Sequence, residues 1–179
     1  MKQSLLDIGN GFFENNEVEQ FITNNPYMGF VLMSAMIEFL GKCCLQQKTF
    51  SDSAHSEEDF LRAITDILPL QKYKKWNIKI KLKKGKNKTT EKTTNKLYSA
   101  LRCGMLHSLL PKEGILLAPK STELDKNIVG AVDLYNDLKD AWSELLQRKP
   151  VDVFLETTPS IVVENGVSGT CINQENVNL

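Results

Sequence analysis

The stretch PYMGFVLMSAMIEFLGKCCLQQ, Pro26 to Gln47, decides the fold of this chain. Asn25 is a favoured helix cap and Pro26 fits the first helical position, so a helix is predicted to begin here. Apolar side chains then occur on nearly every side of that helix. A helix that is apolar all round is buried by its neighbours, so this segment is predicted to be the central helix of a bundle.

Four segments on either side of this stretch have the apolar spacing of helices. Upstream, ENNEVEQFITNN places Val18, Phe21 and Ile22 on one helical face. Downstream, three longer helices are predicted, from Ser56 up to Pro69, from Thr93 to Leu110, and from Leu124 to Arg148. Lys149-Pro150 ends the last of them, because proline cannot continue a helix.

Short β segments are predicted around the helices. Polar residues alternate with apolar ones from Trp76 to Leu82, as in a half-buried strand, and the polar run after Gly85 is predicted to be a mobile loop. GILLAP is a second short strand, and Asn165-Gly166 predicts a C-terminal hairpin. The chain is therefore expected to be mainly α, a four- to five-helix bundle with a small β accessory. Residues 1–150 form the helical domain with a lysine-rich insert at 70–92, and 151–179 add a hairpin and frayed tail to the same domain.

Composition favours a single cytoplasmic domain. The chain has 179 residues, of which 41% are apolar and 25% charged, which is typical of one globular domain. No run of about 18 uncharged apolar residues occurs, so no membrane association is expected. The four cysteines lack C-x-x-C spacing and are predicted to be reduced thiols, with no metal and no cofactor. A zinc site that combines them with His55 or His107 remains an alternative.

Positive charge is concentrated in one segment although the formal net charge is zero. Residues 67–96 contain eleven lysines and a single acid, Glu91. Lysines attract phosphates and an interleaved aromatic side chain can stack on a base, so this segment is a candidate RNA-binding surface. The candidate residues are Lys72, Lys74, Lys75, Trp76, Lys79, Lys81, Lys83 and Lys84. The alternative is a solvated lysine-rich segment in which Trp76 packs against the bundle.

The segment LRCGMLHSLLP contains Arg102, one of three arginines, and His107, one of two histidines. Five residues correspond to a rotation of about 140° on an α-helix, so the two Cβ atoms do not share a face. A long arginine side chain can nevertheless reach an imidazole one turn away. Together they suit phosphodiester chemistry, since histidine transfers protons near neutral pH and arginine stabilises charge on phosphoryl oxygens.

This segment resembles the signature helix of the HEPN superfamily, a bundle of four or five helices. That signature is an arginine followed, after four to six residues, by a histidine near the end of a late helix. Arg102 and His107 fit with four intervening residues. Cys103 departs from the family, which usually has asparagine, aspartate or histidine there. The similarity covers about residues 25–149 and is specific only at Arg102–His107.

The resemblance extends to an acidic residue in the first long helix, which is Glu38 here. If Glu38 faces inward, its expected partner is Arg102, because a buried carboxylate needs a counter-charge. In the alternative, Ser34, Glu38 and Lys42 form a narrow wet stripe with an ordinary i, i+4 ion pair.

What the resemblance implies is a metal-independent endoribonuclease. Its catalytic residues would be Arg102, His107 and Glu38, and the RNA 2′-hydroxyl would attack the adjacent phosphate to leave a cyclic phosphate end. Such proteins usually act as homodimers, often with an antitoxin or another defence partner protein. A non-catalytic HEPN-like module that binds nucleic acid, nucleotide or protein is the alternative that Cys103 favours. A helical scaffold of another fold, with a coincidental Arg102–His107 match, is a third interpretation.

Overall fold

Helices make up most of the described structure, and two small two-stranded sheets accompany them. The computed structural model describes residues 4–44, 56–84, 88–105, 111, 114–120 and 127–148. In chain order the helices are α1 (Leu5–Phe13), α2 (Asn16–Asn24), α3 (Pro26–Cys44), α4 (Ser56–Asp66), a 3₁₀ helix (Leu68–Trp76), α5 (Lys96–Tyr98), which runs into a π-helix (Ser99–Met105), and α6 (Ala131–Arg148). The strands are β1 (Asn77–Lys84), β2 (Lys88–Asn95), β3 (Leu116–Ala118) and β4 (Ile128–Gly130). The prediction of a mainly helical fold with a small β component is confirmed, while the predicted C-terminal hairpin lies outside the described residues.

Capping side chains define where the first two helices begin. Ser4 and Asp7 form a reciprocal capping box at the start of α1, and the Asn15 side chain accepts from the Glu17 amide at the start of α2. The sequence argument missed α1, because its two glycines weaken helix propensity. The helix predicted at residues 14–25 is confirmed as α2, and α3 begins at Pro26 as predicted.

Helix α3 is the centre of the bundle, as its all-round apolar sequence predicted. It packs against α2, α4 and α6, and its most deeply buried side chains are those of Phe30, Met33, Met36, Ile37 and Leu40. At Gly41, a Cβ atom would lie 1.8 Å from the Asp59 carbonyl oxygen. The glycine therefore lets the α3 and α4 backbones touch.

The length and composition of α3 would also allow it to cross a membrane. Its mean hydropathy reaches 1.3 over the best window, and 56% of that window is buried inside the protein. The core helix of a soluble protein and a signal sequence near an N-terminus have the same properties, so this helix is weak evidence for a membrane span.

The first and last described helices are tied together by aromatic side chains. The Trp142 ring stacks on Phe13 with centroids 5.5 Å apart, and its indole N–H donates to the Asn10 side chain at 3.1 Å. The Tyr135 hydroxyl of α6 donates to the Phe12 carbonyl oxygen at 3.1 Å. These contacts hold α1 against α6.

The lysine-rich segment forms an antiparallel hairpin. The predicted strand from Trp76 to Leu82 is confirmed as β1, shifted to begin at Asn77. The loop predicted after Gly85 was wrong from Lys88 onward, because residues 88–95 pair with β1 along its whole length. Threonine is β-branched and suits an extended backbone, and β2 contains four threonines, at positions 89, 90, 93 and 94.

Three further helix boundaries differ from the predictions. Pro69 does not end α4, which stops at Asp66; it lies in the 3₁₀ helix that follows. The helix predicted from Thr93 begins at Lys96, because Asn95 ends β2 and caps α5 by accepting from the Leu97 amide. The helix predicted from Leu124 begins only at Ala131, because residues 128–130 form β4, which pairs in parallel with the predicted strand β3.

Candidate functional site

Arg102 lies in a π-helix that packs against α3. Its buried neighbours Ala100, Leu101, Gly104 and Met105 face the bundle. The i→i+5 bonding of a π-helix widens each turn, so residues four and five apart lie closer to one face than they do on an α-helix. Short π segments are rare and occur frequently at functional sites. The α-helical geometry that the sequence argument assumed for this region does not hold from Ser99 to Met105.

The structure brings Glu38 and Arg102 together. Arg102 Nε lies 3.2 Å from Glu38 Oε1, and the two side chains are 36% and 14% exposed. The wet-stripe interpretation does not fit Ser34, which is 2% exposed on the same face of α3. Glu38 thus lies between helix α3 and the π-helix, as a mostly buried carboxylate beside a guanidinium.

Burial dominates the electrostatics of this pair. It raises the pKa of Glu38, while Arg102 and then Lys42 lower it and Asp59 raises it further. Within the described part of the chain, neither Glu38 Oε1 nor the Ser34 hydroxyl has a hydrogen-bond partner. The 3.2 Å contact is therefore a charge interaction in which the guanidinium N–H is not aimed at the oxygen.

This environment predicts how pH acts on stability through Glu38. A carboxyl group whose pKa is raised on folding favours the folded state below its unfolded pKa, near 4.5, and that advantage is lost as pH rises through the folded value. We therefore expect the stability of the native protein, measured relative to a Glu38→Gln variant, to fall between pH 4 and pH 7. Urea unfolding of both proteins at the two pH values checks this. A difference that stays constant or grows with pH would contradict it.

The remaining members of the predicted catalytic set are only partly described. His107 and His55 lie outside the described residues, so Arg102 and Glu38 are the two predicted catalytic residues whose geometry is known. Cys103 is a half-buried free thiol directly after Arg102. No group of three or more histidine, cysteine, aspartate or glutamate side chains with metal-binding geometry occurs among the described residues.

Sequence reasoning missed Tyr98, which lies one turn before Arg102. Its half-buried ring packs against the Phe60 ring, and burial, followed by the charges of Cys103, Glu38 and Glu57, raises the pKa of its phenol. The available signal was its position four residues before Arg102, which places both on one side of a helix.

Trp76, predicted as part of the candidate RNA-binding surface, is buried in the core. It is 5% exposed, stacks on Tyr73 with centroids 5.9 Å apart, and donates to the Asn127 side chain at 3.1 Å. The Lys75 ammonium covers the ring at 4.7 Å from its centroid. This burial favours the packing interpretation, since a ring covered in this way offers no free face to a base.

The predicted RNA-binding lysines fall into two groups. Near the bundle, Lys72 pairs with Asp137 at 2.7 Å and Lys74 is half-buried. On the hairpin, Lys79 and Lys81 are exposed and lie opposite Thr93 and Glu91, while Lys83 and Lys84 continue β1 toward its end. Among the described side chains of β1, those of Lys79 and Lys81 are thus open to solvent.

No protein-family model, curated protein or solved structure matches the chain.

Proposed function

We propose that this protein is a metal-independent endoribonuclease of the HEPN type that cleaves single-stranded RNA. The observation that carries the proposal is the Glu38–Arg102 ion pair, because it holds a guanidinium at a seam between α3 and a π-helix. A guanidinium held in this way is suited to charge that develops on phosphoryl oxygens. The bundle would then be a HEPN-like bundle of four to five helices.

Each residue has a role in this proposal. His107 would transfer protons, first from the attacking 2′-hydroxyl and later to the leaving 5′-oxygen. The new bond joins the 2′-oxygen to phosphorus and the P–O5′ bond breaks, which leaves a 2′,3′-cyclic phosphate and a 5′-hydroxyl. Arg102 would stabilise the phosphoryl oxygens and Glu38 would hold Arg102. Lysines of the hairpin, Lys79 and Lys81 among them, would guide the strand.

The biological setting belongs to the same proposal. The protein would act in the cytoplasm as a homodimer and would bind an antitoxin or another defence partner protein. A second candidate function is a non-catalytic module that binds RNA or another partner. Cys103 favours that candidate, because a thiol is a weak hydrogen-bond donor and cannot orient a phosphate as an asparagine would.

RNA cleavage in the presence of EDTA tests the proposal. The purified full chain is expected to cut unstructured RNA into fragments with cyclic phosphate ends, and His107→Ala is expected to abolish the cutting. His55→Ala is the matched control, since it changes the only other histidine and should cut like the native protein. RNA that stays intact with the native protein, or cleavage that survives His107→Ala, would refute the catalytic assignment.

A further inference from the structure

A groove lies between the outer face of α4 and the end of the hairpin nearest the bundle, and we call it the α4 groove. Its volume is about 420 Å³, which is within the range of small-molecule sites. Its walls are Glu58, Leu61, Arg62, Thr65 and Asp66 of α4, Asn77 of β1 and Thr93 of β2. The α4 residues follow the spacing i, i+3, i+4, i+7 and i+8, so they form one continuous stripe along the helix.

Several polar groups in the α4 groove have no partner within the described part of the chain. The Thr93 hydroxyl and the Asp66 carboxylate take part in no hydrogen bond or ion pair there. The Asn77 side chain accepts a hydrogen bond from the Asn95 amide at 2.6 Å, which leaves the N–H groups of Asn77 for a ligand. The groove therefore offers both donors and a charged acceptor, and Leu61 adds an apolar contact.

Arg62 is held in place by α3 and by its own helix. Its Nη1 donates to the Gly41 carbonyl oxygen at 3.3 Å and to the Asp59 carboxylate at 2.5 Å. The remaining N–H groups of the guanidinium have no partner among the described residues. A guanidinium fixed in this way can donate to a ligand, or stack on it, with little further loss of side-chain freedom.

The Asp66 carboxylate determines which part of a nucleotide the α4 groove can take. Asp66 is the last residue of α4, where the helix dipole disfavours negative charge, so helix stability does not account for an acid here. Arg148 donates to the Asp66 carbonyl oxygen at 2.9 Å and pairs with Glu144. An exposed carboxylate repels a phosphate but accepts hydrogen bonds from the N–H groups of a nucleobase. The groove therefore suits a base.

A cation lies beside the groove on the same face of β1. Alternate residues of a strand share a face, so Lys79 and Lys81 follow Asn77 at intervals of about 7 Å. Lys79 lies opposite Thr93 and Lys81 lies opposite Glu91. Both lysine side chains are exposed. Lys79 is therefore the cation nearest to the groove along β1, and its long side chain can meet the phosphate of a nucleotide whose base lies in the groove.

We propose that the α4 groove binds an unpaired guanine base of single-stranded RNA. Guanine presents two adjacent donors, N1–H and the 2-amino group, which the Asp66 carboxylate can accept together; uracil, cytosine and adenine lack such a pair. Its O6 and N7 are acceptors, which suit the N–H groups of Arg62 and Asn77. Lys79 contacts the backbone. This deepens the proposed function and rests on it in one respect, that single-stranded RNA is the ligand.

The test measures base preference without cleavage. Three fluorescein-labelled 2′-fluoro oligonucleotides, which lack the attacking hydroxyl, are titrated with the full-length native protein. One is all uridine, one has a single central guanosine, and one has inosine at that position, which removes only the 2-amino group. We expect the guanosine strand to bind about tenfold more tightly than the other two, as one bidentate base contact would provide.

Asp66→Asn is the deciding variant. It leaves the shape of the side chain unchanged and removes its ability to accept both donors, so the three strands should bind about equally. Because Asp66 is exposed at the end of a helix, the variant should fold, which circular dichroism checks. Asp140→Asn is the matched control, since it changes an exposed aspartate of α6 and should keep the guanosine preference.

A lysine variant separates backbone contact from base contact. Lys79→Gln is expected to reduce the slope of log Kd against log salt by about 0.7, the value for one phosphate contact with a single strand. The ratio of the guanosine and inosine affinities should stay that of the native protein, because no group that contacts the base is changed. A slope that does not change overturns the backbone contact of Lys79.

The outcomes separate this proposal from the proposed function. Equal binding of guanosine and inosine strands by the native protein, or a preference that survives Asp66→Asn, overturns the guanine assignment alone. A preference that depends on Asp66, in a protein that does not cleave RNA, supports the assignment and overturns only the catalytic function. A native protein that binds none of the three strands overturns both.

Discussion

Under the proposed ribonuclease function, Arg102→Met is expected to reduce RNA cleavage by about 10²–10³-fold, which is the usual effect of removing one donor that stabilises developing charge. It is also expected to lower the free energy of unfolding by about 1–3 kcal/mol, because the Glu38 carboxylate would stay buried without its counter-charge. A completely buried pair would lose more, but the Arg102 side chain is 36% exposed. The cleavage rate and urea unfolding of the purified variant measure the two effects.

A double variant separates these two effects. Glu38→Gln combined with Arg102→Met removes the orphaned charge, so most of the lost stability should return while cleavage stays low. Arg148→Met is the matched control, because Arg148 is 45% exposed, pairs with Glu144 and donates to the Asp66 carbonyl oxygen, and such solvent-exposed contacts contribute only about 1 kcal/mol. Cleavage by Arg102→Met at the native rate would contradict the catalytic role proposed for Arg102, and a double variant no more stable than the single one would contradict the pairing with Glu38.

Gly41→Ala is expected to destabilise the protein by about 3 kcal/mol or more, at the upper end of the range for overpacked cores. The added Cβ would lie 1.8 Å from the Asp59 carbonyl oxygen and 2.5 Å from its carbon. Both atoms belong to the backbone, so no side chain can rotate away and the helices α3 and α4 must separate. That separation would open the core around Phe60 and Ile64, both fully buried. Urea unfolding followed by circular dichroism gives the change.

Gly11→Ala in α1 is the matched control for this substitution. A Cβ at Gly11 meets no atom within 4 Å, so alanine should raise stability by about 0.5–1 kcal/mol through its better helix propensity. A native-like unfolding midpoint for Gly41→Ala would show that the α3 and α4 backbones are not in contact at Gly41 and Asp59.

The sequence predicts elements well where the deciding signals are local. Asn25 and Pro26 mark the start of α3, and the even distribution of apolar residues reveals that it is buried. The sequence predicts β2 poorly, because threonines and lysines are as typical of a polar loop as of a strand at a sheet edge. What makes residues 88–95 a strand is the ladder with β1, and a single segment cannot reveal its partner.

In the candidate site, too, some features follow from local sequence signals and others depend on tertiary packing. The sequence context of Arg102 is enough to identify it as a candidate site residue. For Glu38, the sequence was compatible both with an inward-facing pair with Arg102 and with a wet stripe that includes Ser34 and Lys42. Packing of the π-helix against α3 brings the two residues to 3.2 Å, and the sequence contains no signal for π winding. The sequence also left two interpretations of Trp76 open, since an aromatic residue among lysines suits both RNA binding and a strand that packs against the bundle.

The contacts between α1 and α6 have a consequence for folding during protein synthesis. The hydrogen bonds from Trp142 to Asn10 and from Tyr135 to Phe12 join residues 132 and 123 positions apart. The ribosome completes α1 long before α6, since translation adds about 5–20 residues per second. The contacts between α1 and α6 can therefore form only several seconds after α1 has been synthesised, and until then the Phe12 and Phe13 rings have only earlier partners such as Phe39 of α3.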